Sequence, residues 1–282
     1  MGPDRLQLQR LELKYLISED KALNVRDFVR SHLELDEYGV GRPDLSYPIH
    51  SLYVDSDALR TYWDTINGLK NRYKLRLRYY DDLPTSPVFF EIKRRMDNAI
   101  LKSRGGVRRE AVPALLAGHL PEPDHLLSAQ PKQMASLQRF CQLMLDIGGR
   151  PKAHVFYRRE AWVSTLDNSI RITFDRDVRI AYEPTARLQT AIADYVMPFT
   201  PQVILELKFT TRFPNWFNEL VRQFDLERTT AAKYAQGVEL IGECVFRFHE
   251  PDAEGRIAGP PKLGCVANSS VDKPAGVDIQ RG

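Results

Sequence analysis

Six short runs, far apart in the chain, alternate apolar and charged residues with a period of two. They are Arg10 to Leu16 (RLELKYL), Tyr73 to Tyr80 (YKLRLRYY), Phe89 to Arg95 (FFEIKRR), Val155 to Ala161 (VFYRREA), Ile170 to Asp175 (IRITFD) and Val203 to Phe209 (VILELKF). Successive side chains of a strand point to opposite faces, so this period predicts strands. It sets Glu12 with Lys14, Lys74 with Arg76 and Arg78, Glu91 with Lys93 and Arg95, and Glu206 with Lys208 on one face each. Leu, Ile, Phe and Val fill the opposite faces. A strand face turned to water usually mixes Thr, Ser, Lys and Glu, whereas rows such as Lys74, Arg76 and Arg78 repel one another unless an anion lies between them. The pattern points to a sheet face built to hold a polyanion.

Helical spacing predicts an amphipathic helix over Asp20 to Leu33, capped from Ser18 or Asp20, and a short helix in DALRTYWDTINGL ending at Gly68. Further helices are predicted over Pro113 to Leu120, over Pro131 to Ile147, from Asn215 onward, and over Ala231 to Gly242. The run HSLYVDS predicts another strand. The basic run from Tyr73 and the run from Phe89 predict a hairpin joined by DDLPTSP, and a turn at Asp167 and Asn168 joins strands over Ala153 to Ser164 and Ser169 to Ala181. Asn98 to Arg109, with Lys102, Arg104, Arg108 and Arg109 around a Gly pair, reads as a mobile basic loop. From His249 the chain is rich in Pro, Gly, Ser and Asp, so a single domain over 1–248 and a flexible tail over 249–282 are expected. Strands spread along the chain without regular strand–helix alternation make the fold class α+β. Six strands charged on one face favour a sheet that curls upon that face: an antiparallel β-barrel tunnel with a charged lumen and helices packed outside.

The net charge is only +3 over 282 residues, so a strong positive field must be local, and a protein coating nucleic acid with its whole surface is excluded. Cys141, Cys244 and Cys265 are scattered without disulfide or zinc spacing; Cys141 and Cys244 sit in apolar runs and read as buried. The histidines at 32, 50, 119, 125, 154 and 249 show no ligand spacing, and no Gly-rich phosphate loop occurs. Ser51 and Asp55 suggest no triad. Tyr62, Trp63, Trp162, Trp216 and Phe217 read as core aromatics, and Asp175 as a strand-ending residue or a metal contact. The N-terminus lacks a signal-peptide h-region, Leu6 breaks the myristoylation pattern, and no apolar run is long enough to span a membrane. A soluble, unprocessed cytoplasmic protein with no nucleic-acid partner and no membrane span is expected.

The ordered series R-x-E-x-K-Y, S-L-Y-x-D, R-L-R-Y-Y, F-F-E-I-K, Y-R-R-E, R-I-T-F-D, L-E-L-K-F and a late K-Y resembles the vacuolar transporter chaperone (VTC) domain, a polyphosphate polymerase of the triphosphate tunnel metalloenzyme (CYTH-like) superfamily. The resemblance runs from Leu8 to about Gly242. It implies a tunnel of antiparallel strands holding ATP and a growing inorganic polyphosphate chain, with Mn²⁺ or Mg²⁺ as cofactor and peripheral association with a membrane partner. By the same resemblance Lys14, Arg76, Arg78, Arg159, Arg171 and Lys233 are the catalytic cations, Lys93 and Tyr157 bind substrate, and Glu206 holds the metal. Glu12 could support that metal or orient Lys14, and Glu91 could do the same for Lys93. Lys74, Lys102, Arg104 and Lys208 extend the substrate-binding set. The sequence departs from the family where Ala232 replaces the serine of Ser-Lys-Tyr and Thr230 stands where a basic residue can occur, and Arg10 replaces the first glutamate of the hydrolase branches.

Phosphoryl transfer asks a protein for alignment and charge stabilisation, which Arg forks and Lys point charges supply. A terminal phosphate oxygen as nucleophile makes a metal-dependent polymerase; water in its place makes a tripolyphosphate or nucleoside triphosphate hydrolase. A non-catalytic sensor of polyphosphate or inositol phosphates would need the same basic lining.

Overall fold

A computed structural model describes residues 10–97, 99–164, 169–210 and 213–247, all within one compact unit. The expected tail over 249–282 and the turn at Asp167 and Asn168 lie outside the described residues, as do Cys265 and His249.

The alternating runs form strands. In chain order these are β1 (Arg10–Ile17), β2 (Glu34–Leu35), β3 (Ser46–Asp55), β4 (Asn71–Tyr79), β5 (Val88–Met96), β6 (Ala99–Val107), β7 (Arg150–Val163), β8 (Ile170–Tyr182) and β9 (Val203–Thr210). All pair antiparallel in the order β2-β7-β3-β4-β5-β6-β1-β9-β8, and β8 turns back to pair with β7. The sheet is therefore large and strongly curled. It does not form the closed barrel that the sequence suggests: β1 meets β6 through the single pair Arg10↔Ile100, after which β1 runs on past the start of β6. The fold is α+β with one large antiparallel sheet.

Three apolar clusters hold this arrangement. Helix α1 (Glu19–Val29), capped by Ser18 accepting from the Lys21 N–H at 3.3 Å, packs Val25 and Val29 with Phe217 and Leu220 of α5 (Asn215–Gln223) against Leu205, Leu207 and Phe174. Helix α4 (Pro131–Asp146) sets Leu137, Phe140 and Met144 on the outward residues of β4 to β6, including Leu75, Leu77, Phe90 and Val107. Helices α2 (Arg60–Ile66) and α6 (Lys233–Ile241) join a third cluster with β3, β7 and β8, while α3 (Val112–Leu116) and α7 (Glu243–Phe246) are single turns. The predicted core aromatics Tyr62, Trp162 and Phe217 are buried in these clusters, with Trp63 and Trp216 packed against them.

The stretch read as a mobile basic loop is corrected: residues 99–107 are strand β6. Its Gly pair serves packing, because a Cβ on Gly105 would lie 3.1 Å from the Gln133 carbonyl and 3.3 Å from Leu137 Cβ. Glycine lets α4 approach the strand closely. Cys244 is exposed, not buried, since its run falls on the last short helix turn at the surface; Cys141 is buried as expected.

Candidate functional site

The charged faces of the strands turn inward upon one cavity of about 1770 Å³. Among the described residues its lining carries sixteen Lys and Arg side chains and four Asp and Glu. A chain of nearly zero net charge thus concentrates its positive field in one place.

Strand register dictates which charges meet. Glu12 lies opposite Lys208 and Lys14 opposite Glu206 on the β1–β9 ladder, Arg76 opposite Glu91 on β4–β5, and Arg159 opposite Asp175 on β7–β8. These opposed pairs are stabilising. Lys74, Lys93 and Lys102, by contrast, stand directly opposite one another across β4, β5 and β6, and Arg171 stands opposite Lys208. Like charges in that position repel.

Three buried carboxylates organise the cations. Asp175 accepts from Arg159 Nε at 2.6 Å and Nη2 at 2.7 Å, and from Lys233 Nζ at 2.7 Å. It lies within β8, so its reading as a strand-ending residue is corrected. Glu206 accepts from Lys208 Nζ at 2.5 Å and Thr173 Oγ1 at 3.3 Å, with Lys14 Nζ at 3.1 Å and Arg159 Nη2 at 3.4 Å. Glu91, fully buried, gathers Arg76 at 2.7 Å, Lys102 at 2.7 Å, Arg78 at 3.9 Å and Arg104 at 4.0 Å. Burial alone would raise the Glu206 carboxyl, but Lys208, Lys14, Lys233 and Arg159 hold it well below its ordinary range. For Glu91 burial is likewise outweighed, by Arg78, Arg76 and Lys102.

Lysines in the positive rows shift the other way. Burial, with Lys93 and Lys14 nearby, pushes Lys74 down to about 8 despite the neighbouring Tyr53. Lys102 falls to about 7, because burial together with Arg78 and Arg76 exceeds the help of Glu91. Lys208 falls to about 8 through burial and Arg159.

The site residues proposed from the sequence line this cavity except Glu91, which lies beneath four of the cations that do, and Asp175, which lies behind Arg159 and Lys233. Tyr157 accepts a hydrogen bond from Arg78 at 3.0 Å. Arg171 stands apart from the central group, held by Asp36 at 2.6 Å and by the Tyr47 hydroxyl at 3.2 Å. Two participants, Asp36 and Tyr53, are given no role by the sequence. A lone acid in a mixed run, such as Asp36, carries no period. Tyr53, the tyrosine of S-L-Y-x-D, accepts from Arg76 at 3.4 Å and stacks on Tyr234 at 4.9 Å and 5°, and burial is overcome by Arg76 and Lys74 to bring its hydroxyl down to about 8. Asp55 of the same motif accepts from Thr61 Oγ1, the Thr61 and Tyr62 amides and the Tyr234 hydroxyl, so it orders α2 and α6 behind the site. His50 and His154, 3.0 Å apart, are buried outside the cavity lining.

Glu12 and Glu206 are the two glutamates that line the cavity. Lys14 Nζ sits between Glu12 at 3.2 Å and Glu206 at 3.1 Å, a positive charge already held between two carboxylates that face the cavity. Among the described residues no group of three or more His, Cys, Asp or Glu gathers to enclose a metal. Two carboxylate donors with the remaining positions open to water and phosphate oxygens suit Mg²⁺ or Mn²⁺, which keep much of their shell outside the protein.

A curled antiparallel sheet enclosing a deep, strongly basic cavity is the class that fold and site define. The VTC domain matches residues 9–241, and the chain belongs to that family. It is 24% identical over 281 residues to the vacuolar transporter chaperone complex subunit 4 of Schizosaccharomyces pombe, covering 85% of this chain and 38% of that protein. To the subunit of the same name in Trypanosoma cruzi it is 24% identical over 255 residues, covering 77% of this chain and 32% of that one. The chain thus spans about a third of the length of these relatives. The solved structure of the PH1819 protein from Pyrococcus horikoshii superimposes with a TM-score of 0.41 at 13% identity, over 82% of this chain and 98% of that one. Among the described residues no helix is long and apolar enough to cross a membrane.

Proposed function

We propose that the protein is a polyphosphate polymerase, which transfers the γ-phosphoryl group of ATP onto the end of an inorganic polyphosphate chain held in the basic cavity, used as a tunnel. The observation that carries this reading is the row Lys74–Lys93–Lys102, set side by side by strand register and facing the same cavity as Arg76, Arg78, Arg159 and Lys233. Glu12 at 3.2 Å from Lys93 and Glu91 at 2.7 Å from Lys102 offset part of the repulsion in this row, and a bound polyanion would offset the rest. Family membership supports the same reading.

In the proposed reaction a terminal phosphate oxygen of the chain attacks the γ-phosphorus; a new P–O bond forms as the bond to the bridging β,γ-oxygen breaks, and ADP leaves with the electron pair. The nucleophile is already an anion, so no base is needed. That distinction favours a polymerase over a hydrolase. The carboxylates nearest the reacting groups, Glu206, Glu91, Asp175 and Glu12, are all held below their ordinary range by neighbouring cations and are poor bases for water. Arg76, Arg78 and Arg159 fork onto non-bridging oxygens, and Lys14, Lys208 and Lys233 neutralise them. Glu206 and Glu12 would hold Mg²⁺ or Mn²⁺, which supplies neutralisation of charge on the β- and γ-phosphate oxygens when bound. The relatives are named as subunits of a complex, which supports a partner for this chain too.

Purified protein incubated with ATP and Mn²⁺, with products resolved by length, tests the reading. A ladder of chains is expected; orthophosphate alone would make the protein a hydrolase, and unchanged ATP would make it a sensor. Glu206→Ala should lower turnover at least a hundredfold while ATP binding without metal persists, and unimpaired turnover in that variant would remove the metal assignment.

A further inference from the structure

Two stacked tyrosines stand beside Arg76 without a part in the reaction described above. Tyr53, on β3, lies directly opposite Arg76 on β4, and both side chains line the cavity. The Arg76 guanidinium is held along two edges. Its Nε donates to Glu91 at 2.8 Å with Nη2 at 2.7 Å from the same oxygen, and its Nη1 donates to the Tyr53 hydroxyl at 3.4 Å. The charges that act most strongly on that hydroxyl are those of Arg76, Lys74 and Arg78. All are donors that cannot accept, and the Tyr53 proton has no acceptor among the described residues.

Tyr53 is also fixed from behind. Its ring stacks on Tyr234 of α6, with centroids 4.9 Å apart and planes 5° from parallel. The Tyr234 hydroxyl donates at 2.9 Å to Asp55, a fully buried carboxylate that also accepts from the Ser56, Thr61 and Tyr62 amides and from Thr61 Oγ1. So many bonds leave Asp55 little freedom, and Tyr234 inherits its position. The two hydroxyls differ in character. Burial and Asp55 push Tyr234 well above its ordinary value, so it stays a neutral donor, whereas Arg76 and Lys74 overcome burial to bring Tyr53 down to about 8.

Packing alone does not account for Tyr53. A phenylalanine would stack on Tyr234 equally well, and Arg76, the group that uses the hydroxyl, is already gripped by Glu91. An acidic hydroxyl among cations is suited to donate to an anionic oxygen. We infer that Tyr53 is a phosphate ligand: its hydroxyl accepts from Arg76 and donates its proton to a non-bridging oxygen of the bound phosphate chain, while Tyr234, anchored by Asp55, is the positioning residue that holds the Tyr53 ring in place. Where Lys supplies a point charge, a hydroxyl supplies a directed bond, so it orients a phosphate as well as attracting it. The inference rests on the reading of the cavity as a phosphate-chain site, and the test separates the two.

Dissociation constants for inorganic tripolyphosphate are measured by calorimetry at pH 7, where the Tyr53 hydroxyl holds its proton, for the parent, Tyr53→Phe, Tyr234→Phe and the double variant. Each substitution removes a hydroxyl and keeps the ring, and thermal unfolding confirms that each variant folds. Tyr53→Phe, altered only at the cavity face, decides the ligand assignment by itself: it should weaken binding about tenfold, the loss expected for a hydrogen bond to a charged group. Tyr234→Phe should weaken binding about threefold when the Tyr53 hydroxyl is present and by less than about 1.5-fold when it is gone, because a positioning residue then has nothing to position. Unchanged affinity in Tyr53→Phe would overturn the ligand assignment and leave the basic cavity intact. A Tyr234→Phe effect that is absent, or equal in both backgrounds, would overturn the positioning role. A parent protein that binds no tripolyphosphate would instead overturn the underlying reading.

Discussion

Lys74, Lys102 and Lys208 are the residues whose chemistry is most altered by their place in the fold. Their ammonium groups fall to about 8, 7 and 8, chiefly through burial, so near neutral pH the empty cavity carries fewer charges than its formula suggests. A bound polyanion raises all three, since an opposite charge favours the protonated form. Binding must therefore take up protons between about pH 7 and 8, and affinity must fall as pH rises through that window. Titrating long-chain polyphosphate, whose internal phosphates stay ionised throughout, in two buffers of different ionisation heat should reveal uptake at pH 7.5, diminished in Lys102→Arg because guanidinium does not titrate there. Zero or negative uptake would show that these lysines do not face the ligand. What was legible at this scale was the set of charges repeating at i and i+2. Asp36 was not, and Asp175 was legible only as a strand end or a metal contact, because single acids acquire their partners only when the fold brings Arg171 and Arg159 to them.

At the scale of elements, period-two alternation located β1, β4, β5, β8 and β9 because their inward residues are charged almost without exception. Strand β6 was hidden: Gly105 and Gly106 imitate a loop, and only the packing of α4 shows why glycine is required within a strand. The start of α6 carries the departure from the family pattern that the sequence exposed. Ala232 occupies the N-cap and offers no side-chain bond to the first turn, which begins at Lys233. Ala232→Ser should add a cap worth about 1 kcal/mol, raising the midpoint of thermal unfolding by about 2–4 °C. An unchanged or lower midpoint would mean that the local backbone cannot accept the cap.

For the whole molecule, apolar clusters outside and a curled charged face inside follow from one alternation read on six strands. What the alternation could not specify was closure, because it says nothing of how far β1 runs beside β6; a single register pair leaves the sheet open there among the described residues. The basic lining survives that difference, since its cations come from strands on both sides of the gap. The central claim is that these distant cations serve one anion. Calorimetric titration of the protein with inorganic tripolyphosphate tests it most directly. The account predicts one ligand per chain and an affinity at least tenfold weaker in Arg76→Ala, the loss expected for a charge-assisted hydrogen bond. A parent that fails to bind, or an Arg76→Ala variant that binds as the parent does, would contradict it.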